Sequence, residues 1–456
     1  MALENRAIFR EIENMANSPG VSDFWEYNAE LITDGGVFRL TKLETFSSNR
    51  QFDTEDSPFA PYSFVLGSLG RSTYNTSIYP FRHNVQLKLE RRRRSQHGNE
   101  GDFGETEYQI FKAALSEPED LDTRADQRET GEEKLEELST QVDLQIQILD
   151  PIFYELKMAT VGGILKNVTM EEALVTLMGY GLNGEQGTEA LKRPEYRGLR
   201  GVDVVPPSNT KRYKQIVIPV GTRIVDLPNY LQSRYGVYST GIGRFLQNGR
   251  WYIFPIKDFN LFTKRSRTLT IANLPEAEVP AIDKTYMMRG DKLYVAATGQ
   301  VIINDESEEM FHRVANGLRY FPSSNLLDDM STPKDNTLTT RLSETLKEFT
   351  ISERRDGLNQ AYFVSGLYTD NPFRMVSEAS GILGRFFDVT WFKSDHSLLY
   401  PGMPVKLLFV KGGVLRELSG VLVGSQVSVS QVEAGIGSRQ YMGTTTLRIF
   451  AKLVED

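Results

Sequence analysis

The sequence predicts an α+β, mainly β fold: two antiparallel β-barrel or tube-type domains with a small mixed α/β domain between them. Three observations predict it. Val85-Gln-Leu-Lys-Leu89 and Val142-Asp-Leu-Gln-Ile-Gln-Ile148 alternate strictly between apolar and polar residues, the pattern of strands with one buried and one wet face. Short extended runs recur through the last hundred or so residues, spaced by Lys411-Gly-Gly413 and Gly435-Ile-Gly437, as in a small barrel or sandwich. Between these regions, Thr169-Met-Glu-Glu172 is a capping box, and Asp226 to Gly236 carries helix start and stop signals.

In chain order, residues 6–15 form an amphipathic helix with Ile8, Phe9, Ile12 and Met15 on one side, an arm occupying residues 1–21. The first β domain spans residues 22–168, its runs broken by turn clusters at Gly35-Gly36, Ser47 to Asn49, Ser57-Pro58 and Gly67 to Gly70. The two alternating strands pair most simply with each other, which makes residues 91–141 a long charged flap on a hairpin. Within the flap, Tyr108, Phe111 and Leu115 at helical spacing predict a short helix. Arg91 to Arg94 open it beside a larger acidic block, and such a run reads as paired or solvated rather than as a nucleic-acid patch.

The mixed domain spans residues 169–262. The capping box starts a helix that buries Ala173, Leu174, Leu177 and Met178, and residues 182–213 read as a loop. Asp226 is an N-cap by type, Pro228 suits a first turn, and Leu227, Tyr230, Leu231 and Tyr235 share a face ended by Gly236. Two extended runs then flank Asn248-Gly249, the pair that best tolerates the positive φ angles of a type I′ hairpin. Residues 263–360 form a mixed connecting region with a strand at Arg267 to Ile271, strands on either side of Arg289-Gly-Asp291 and a helix over residues 306–316. The second β domain, residues 361–456, holds strands at Arg385 to Phe392, Val405 to Val410, Val414 to Leu418, Gly424 to Val432 and Thr444 to Leu453.

Composition excludes several chemistries. The 456 residues contain no cysteine, which removes disulfides, thiolate nucleophiles and Cys-type zinc sites. The histidines, His83, His97, His312 and His396, are not spaced to share a metal, so neither a metal nor a cofactor is expected. A net charge of -8 and a pI of 5.4 argue against a nucleic-acid-binding surface. With a mean hydropathy of -0.36, no apolar run long enough to span a bilayer and no signal-peptide core at the start, membrane insertion and export are not expected.

No motif carries convincing catalysis, and no catalytic residue is expected. Gly241-Ile-Gly243 and Glu433-Ala-Gly-Ile-Gly437 lack a helix to present to a phosphate. Asp395-His396-Ser397 holds three triad residue types, but neighbours on an extended chain point apart, and a polar corner before Pro401-Gly402 explains them. Glu133, Glu136 and Glu137 form a solvated run rather than an acid/base pair.

Val237-Tyr-Ser-Thr-Gly-Ile-Gly243 followed by Gly249-Arg-Trp-Tyr-Ile-Phe-Pro255 resembles the middle segment of baseplate hub proteins from contractile-tailed bacteriophages, and Tyr400-Pro-Gly-Met-Pro-Val405 resembles their C-terminal barrel. The resemblance implies a structural virion protein, assembled in the host cytoplasm into a homotrimeric, pseudo-six-fold ring. Its expected partners are further copies of itself, the tail tube protein, the central spike protein and baseplate wedge proteins. A ring that passes DNA needs a wall that does not hold phosphates. Gln86, Lys88, Asp143, Gln145 and Gln147, on the wet faces of the two alternating strands, are therefore the candidate channel-lining residues. The alternatives are a tail-associated polysaccharide-binding or polysaccharide-degrading protein, which the 25 Phe and 20 Tyr would serve, and another baseplate or tube-terminator subunit.

Overall fold

The computed structural model describes residues 24–52, 61–94, 106–116, 141–179, 201–261, 265–274, 285–299, 318–320, 349–351, 384–411, 414–432 and 440–452. The predicted helices over residues 6–15 and 306–316, and the run holding Glu133, Glu136 and Glu137, lie outside these residues.

The N-terminal strands are β1 (Phe24–Thr33), β2 (Gly36–Arg39), β3 (Lys42–Gln51), β4 (Tyr62–Gly70), β5 (Val85–Arg94), β6 (Glu107–Leu115), β7 (Gln141–Leu149) and β8 (Thr160–Val168). Then come β9 (Gly201–Val204), β10 (Tyr213–Arg223), β11 (Ile242–Gln247), β12 (Arg250–Pro255), β13 (Thr268–Asn273), β14 (Tyr286–Arg289) and β15 (Lys292–Ala297). The last are β16 (Leu318–Tyr320) and β17 (Phe349–Ile351), which pair with each other, β18 (Gly384–Phe392), β19 (Pro404–Lys411), β20 (Val414–Gln431) and β21 (Gln440–Lys452). Helices α1 (Pro151–Met158), α2 (Met170–Met178) and α3 (Leu227–Arg234) lie among them, and short helical turns over residues 71–81 join β4 to β5.

The large sheet holds 14 strands, and its pairings close a ring. Antiparallel pairs run from β1 to β5, β6, β7, β4, β3, β20 and β21, and β21 returns to β1 through Trp25 opposite Tyr441 and Glu26 opposite Gln440. Strand alternation explains the filling. Trp25, Tyr27, Ala29 and Leu31 of β1, Val85, Leu87 and Leu89 of β5, and Val142, Leu144, Ile146 and Ile148 of β7 all point into one apolar core. The intervening polar residues face outward.

Three sequence expectations change here. The two alternating strands are not neighbours, because β6 lies between them and pairs with both. Tyr108, Phe111 and Leu115 therefore sit on a strand, not on a helix, and residues 107–115 are ring wall rather than flap. The edges of β5 and β7 together pair an inserted strand along its length, β5 over residues 107–113 and β7 over residues 112–115, an outcome that side-chain spacing alone does not register. Ser47 to Asn49 lies inside β3 and Gly67 to Gly70 is the end of β4, so neither is a turn.

A second ring uses β18, β21, β20, β19, β13 and β15. It is closed by two backbone bonds between Thr298 and Thr390, at 2.9 and 2.6 Å. β20 and β21 belong to both rings. The predicted strands Val414 to Leu418 and Gly424 to Val432 are one strand of 18 residues, whose first part pairs with β19 and whose second part pairs with β3. Gly424, the first residue of the second predicted run, instead sits at a shift of register after Leu422, a common role of a glycine inside a strand. The sharing places strands of the first and last regions of the chain in a single sheet.

The middle of the chain makes a β8–β10 ribbon and a three-stranded sheet in the order β11, β12, β9. β9, inside the stretch read as a loop, runs parallel to β12. The capping box is formed, with Glu172 N donating to Thr169 Oγ1 at 3.3 Å and Thr169 N donating to Glu172 Oε2 at 2.9 Å. Asn248 and Gly249 have φ of 51 and 72, as a type I′ turn requires. The Arg289-Gly-Asp291 segment turns between β14 and β15. Asp226 makes no side-chain cap: a 3₁₀ turn over Ile224–Asp226 leaves it helical at φ -92 and ψ -11, and its carboxylate accepts from Arg223 Nε at 2.6 Å instead. α1, α2, α3 and the β11–β12 hairpin pack into one core with the second ring.

Candidate channel-facing surface

Strand pairing determines which side chains share the outside of the first ring. Directly opposed residues in antiparallel strands point the same way. Lys88 lies opposite Glu30 on β1 and Ile110 on β6, and Gln86 lies opposite Ile32 and Lys112. On the far side of β6, Gln147 lies opposite Ala114 and Phe64, Gln145 opposite Leu66, and Asp143 opposite Ser68. All five sequence-predicted residues thus occupy one outer surface, with a strand between the two groups that sequence reasoning did not supply. Tyr108, Ile110 and Lys112 are the residues missed. The aromatic and β-branched run Tyr108-Gln-Ile-Phe111 was the available signal for a strand there.

The surface neutralises itself. Lys88 Nζ lies 2.5 Å from Glu90 and 3.3 Å from Glu30, and it sits 5.5 Å from the Tyr108 ring centre. Its hydrogen bond to Glu90, followed by the bond to Glu30, holds the ammonium above its ordinary pKa, so it stays charged and paired. Arg92 pairs with Glu26 at 2.9 Å, and Asp143 accepts from Ser68 Oγ at 2.8 Å. Partly exposed pairs of this kind add little stability each, about 0–1 kcal/mol, but they cancel the field a phosphate would feel. The Arg91 to Arg94 run belongs to β5 and is engaged: Arg91 bonds Glu107, and Arg93 donates to the Tyr286 hydroxyl at 3.1 Å.

The triad-like letters form a corner. Asp395 Oδ1 accepts from Ser397 N at 3.1 Å and from Ser397 Oγ at 2.6 Å, while the His396 ring packs 5.9 Å from that of Phe46. The serine hydroxyl is therefore committed to the carboxylate, not to the imidazole. Among the described residues, no group of three or more His, Asp or Glu side chains could hold a metal ion, and no helix is long and apolar enough to cross a membrane.

Over residues 132–291, 160 of the 456, the chain matches a family model described as Bacteriophage PBS1 gene 109 protein. No curated protein matches in sequence. Among solved structures, the chain is similar to a tail protein from Neisseria meningitidis, at 10% identity and a TM-score of 0.43, over 93% of this chain and 96% of that one. It is similar at the same identity and TM-score to the 43 kDa tail protein of prophage MuSo2 from Shewanella oneidensis, over 92% and 98%. A prophage tail protein from Listeria monocytogenes aligns at 11% identity and a TM-score of 0.38, over 92% and 94%. At these scores the structural likenesses carry no functional weight.

Proposed function

We propose that this chain is a structural, non-enzymatic tail protein of a phage-type particle, acting as a baseplate hub that joins a tail tube to a central spike. The observation that carries the reading is the match to a phage protein family over residues 132–291, which contains the helix and hairpin whose letters resemble hub proteins. In this reading the two rings are the two tube-type units of each subunit, three subunits close a pseudo-six-fold annulus, and the outer surface of β5, β6 and β7 lines its channel. The charge balance of that surface supports the assignment. Lys88 and Arg92 are answered by Glu26, Glu30 and Glu90 at short range, which reduces the positive charge that a passing DNA could bind. The tube, spike and wedge proteins of the same particle are the partners.

Native mass spectrometry tests the assembly. A species at three times the subunit mass of 51.7 kDa is expected, and a monomer or hexamer under all conditions refutes the hub. The channel assignment has its own test. Gln145→Arg combined with Gln147→Arg should convert a trimer that does not retain duplex DNA at physiological salt into one that does, in a strongly salt-dependent manner. DNA retention by the unaltered trimer, or none by the doubly substituted one, sinks the assignment.

A further inference from the structure

The inner face of β3 carries Phe46, Ser48 and Arg50. Phe46 joins the apolar core of the first ring, but the next two residues bring polar atoms to one end of that core. A cleft of about 280 Å³ opens there, between β3 and β4 on one side and the tip of the β11–β12 hairpin on the other, with His396 in its wall.

Arg50 is the unusual member. Its side chain lines the cleft while the residue is only 8% exposed, and its Nε is buried without a hydrogen-bond partner. Its one hydrogen bond among the described residues is a long one, from Nη1 to Gln247 Oε1 at 3.4 Å. Gln247 is fixed for that role because its own Nε2 donates to the Leu399 carbonyl at 2.7 Å. No carboxylate among the described residues pairs with Arg50. A buried charge without a counter-ion is costly, and guanidinium groups at such positions ordinarily pair in full.

The neighbouring charges are otherwise accounted for. Arg91 has Asp395 at 3.5 Å and Glu107 at 2.5 Å. The Asp150 carboxylate accepts from the amides of Ile152 and Phe153, which open α1. Burial, and then the nearness of Arg50 and Arg91, hold His396 well below its ordinary pKa, so the imidazole is neutral and supplies no further positive charge. Burial also pushes Arg50 down, to about 10, with Arg91 adding to the effect, which leaves it charged at neutral pH. Beside it, Ser63 Oγ donates to Ser48 Oγ at 2.9 Å, which leaves the Ser48 proton available to a ligand.

We propose that this cleft is an oxyanion-binding site, in which a phosphate or carboxylate group of a small molecule sits against Arg50 and accepts a further hydrogen bond from Ser48. Arg50 supplies a charge and a planar donor edge suited to two oxygens of one anion. The site is independent of the hub reading, because it requires nothing of the assembled ring.

The full-length chain is titrated with sodium phosphate and, separately, with sodium acetate, against sodium chloride at matched ionic strength, and its unfolding temperature is followed. A saturable rise above the chloride control is expected with at least one oxyanion and is lost in Arg50→Met. A rise with phosphate alone identifies a phosphate site, and a rise with acetate as well identifies a general carboxylate and phosphate site. No rise above chloride, or the same rise in Arg50→Met, overturns the proposal. Should Arg50→Met fail to fold, Ser48→Ala is expected to weaken the saturating anion about tenfold, the loss of one hydrogen bond to a charged group. An unchanged affinity in that variant overturns it equally.

Discussion

Gly402→Ala tests the joint between the two stretches that carry the hub resemblance. Phe254 on β12 is fully buried, and its ring lies between glycines from distant parts of the chain. A Cβ at Gly402 would stand 2.4 Å from the ring, and one at Gly243 would stand 2.5 Å from it. Gly402 also has a φ of +69, where an L side chain is strained. The strain costs about 1–2 kcal/mol. Forcing a methyl into a filled core adds about 1–3 kcal/mol, so Gly402→Ala should destabilise by about 2–5 kcal/mol. Equilibrium urea unfolding followed by tryptophan fluorescence reads this, because Trp251 and Trp391 lie in the same core as Phe254. The clash and the strain separate in a double-mutant cycle. In a Phe254→Ala background, itself about 3–5 kcal/mol less stable, the ring is gone and only the strain of about 1–2 kcal/mol should remain for Gly402→Ala. An unchanged midpoint in the single variant, or the same cost in both backgrounds, would falsify this account of the joint.

Three further outcomes are expected. Gly249→Val places a β-branched residue at a φ of 72 in the hairpin turn and should cost on the order of 1 kcal/mol or more; an unaltered melting temperature argues against the type I′ turn. Deleting Glu107–Leu115 with a short Gly-rich bridge removes β6, leaves β5 and β7 with open edges and should give aggregated protein, whereas recovery of a soluble, cooperatively unfolding chain shows that β6 is dispensable to the ring. Burial raises the Asp150 pKa above its ordinary value, against the lowering effect of the Phe153 and Ile152 amides. The folded state therefore holds this proton more tightly than the unfolded state, and its contribution to stability falls as pH rises from the ordinary carboxylate range through the raised value. Asp150→Asn keeps an N-cap acceptor and should flatten that part of the pH–stability curve, while Asp150→Ala loses the cap and about 1 kcal/mol; an Asn variant with the wild-type pH slope excludes Asp150 as its source.

What the sequence determined by itself is local. Alternation in Val85 to Leu89 and Val142 to Ile148 set their inward and outward faces, because a strand has a period of two whatever it pairs with. Thr169 and Glu172 formed their reciprocal cap, and Asn248-Gly249 formed its turn, since the bonds and φ angles involved lie within a few residues. The five candidate channel residues were placed on one outer surface for the same reason. Asp226 shows where even local reasoning yields: its backbone was fixed by the preceding turn, and a cation three residues earlier took its carboxylate.

Only the tertiary structure decided the partners. Residues 107–115 carry a spacing that suits a helix, yet two waiting strand edges satisfied more backbone groups than an isolated helical turn and made them a strand. β20 spans both rings because β19, β3 and β21 line up along its whole length, which no single-strand pattern encodes. Arg50 follows Ser47 to Asn49, a run that reads as a turn in the sequence, and nothing in its letters marks it. Its isolation beside Ser48 and Gln247 arises because the hairpin 197 residues further along closes over it, and burial by a distant segment leaves no mark in the residues buried.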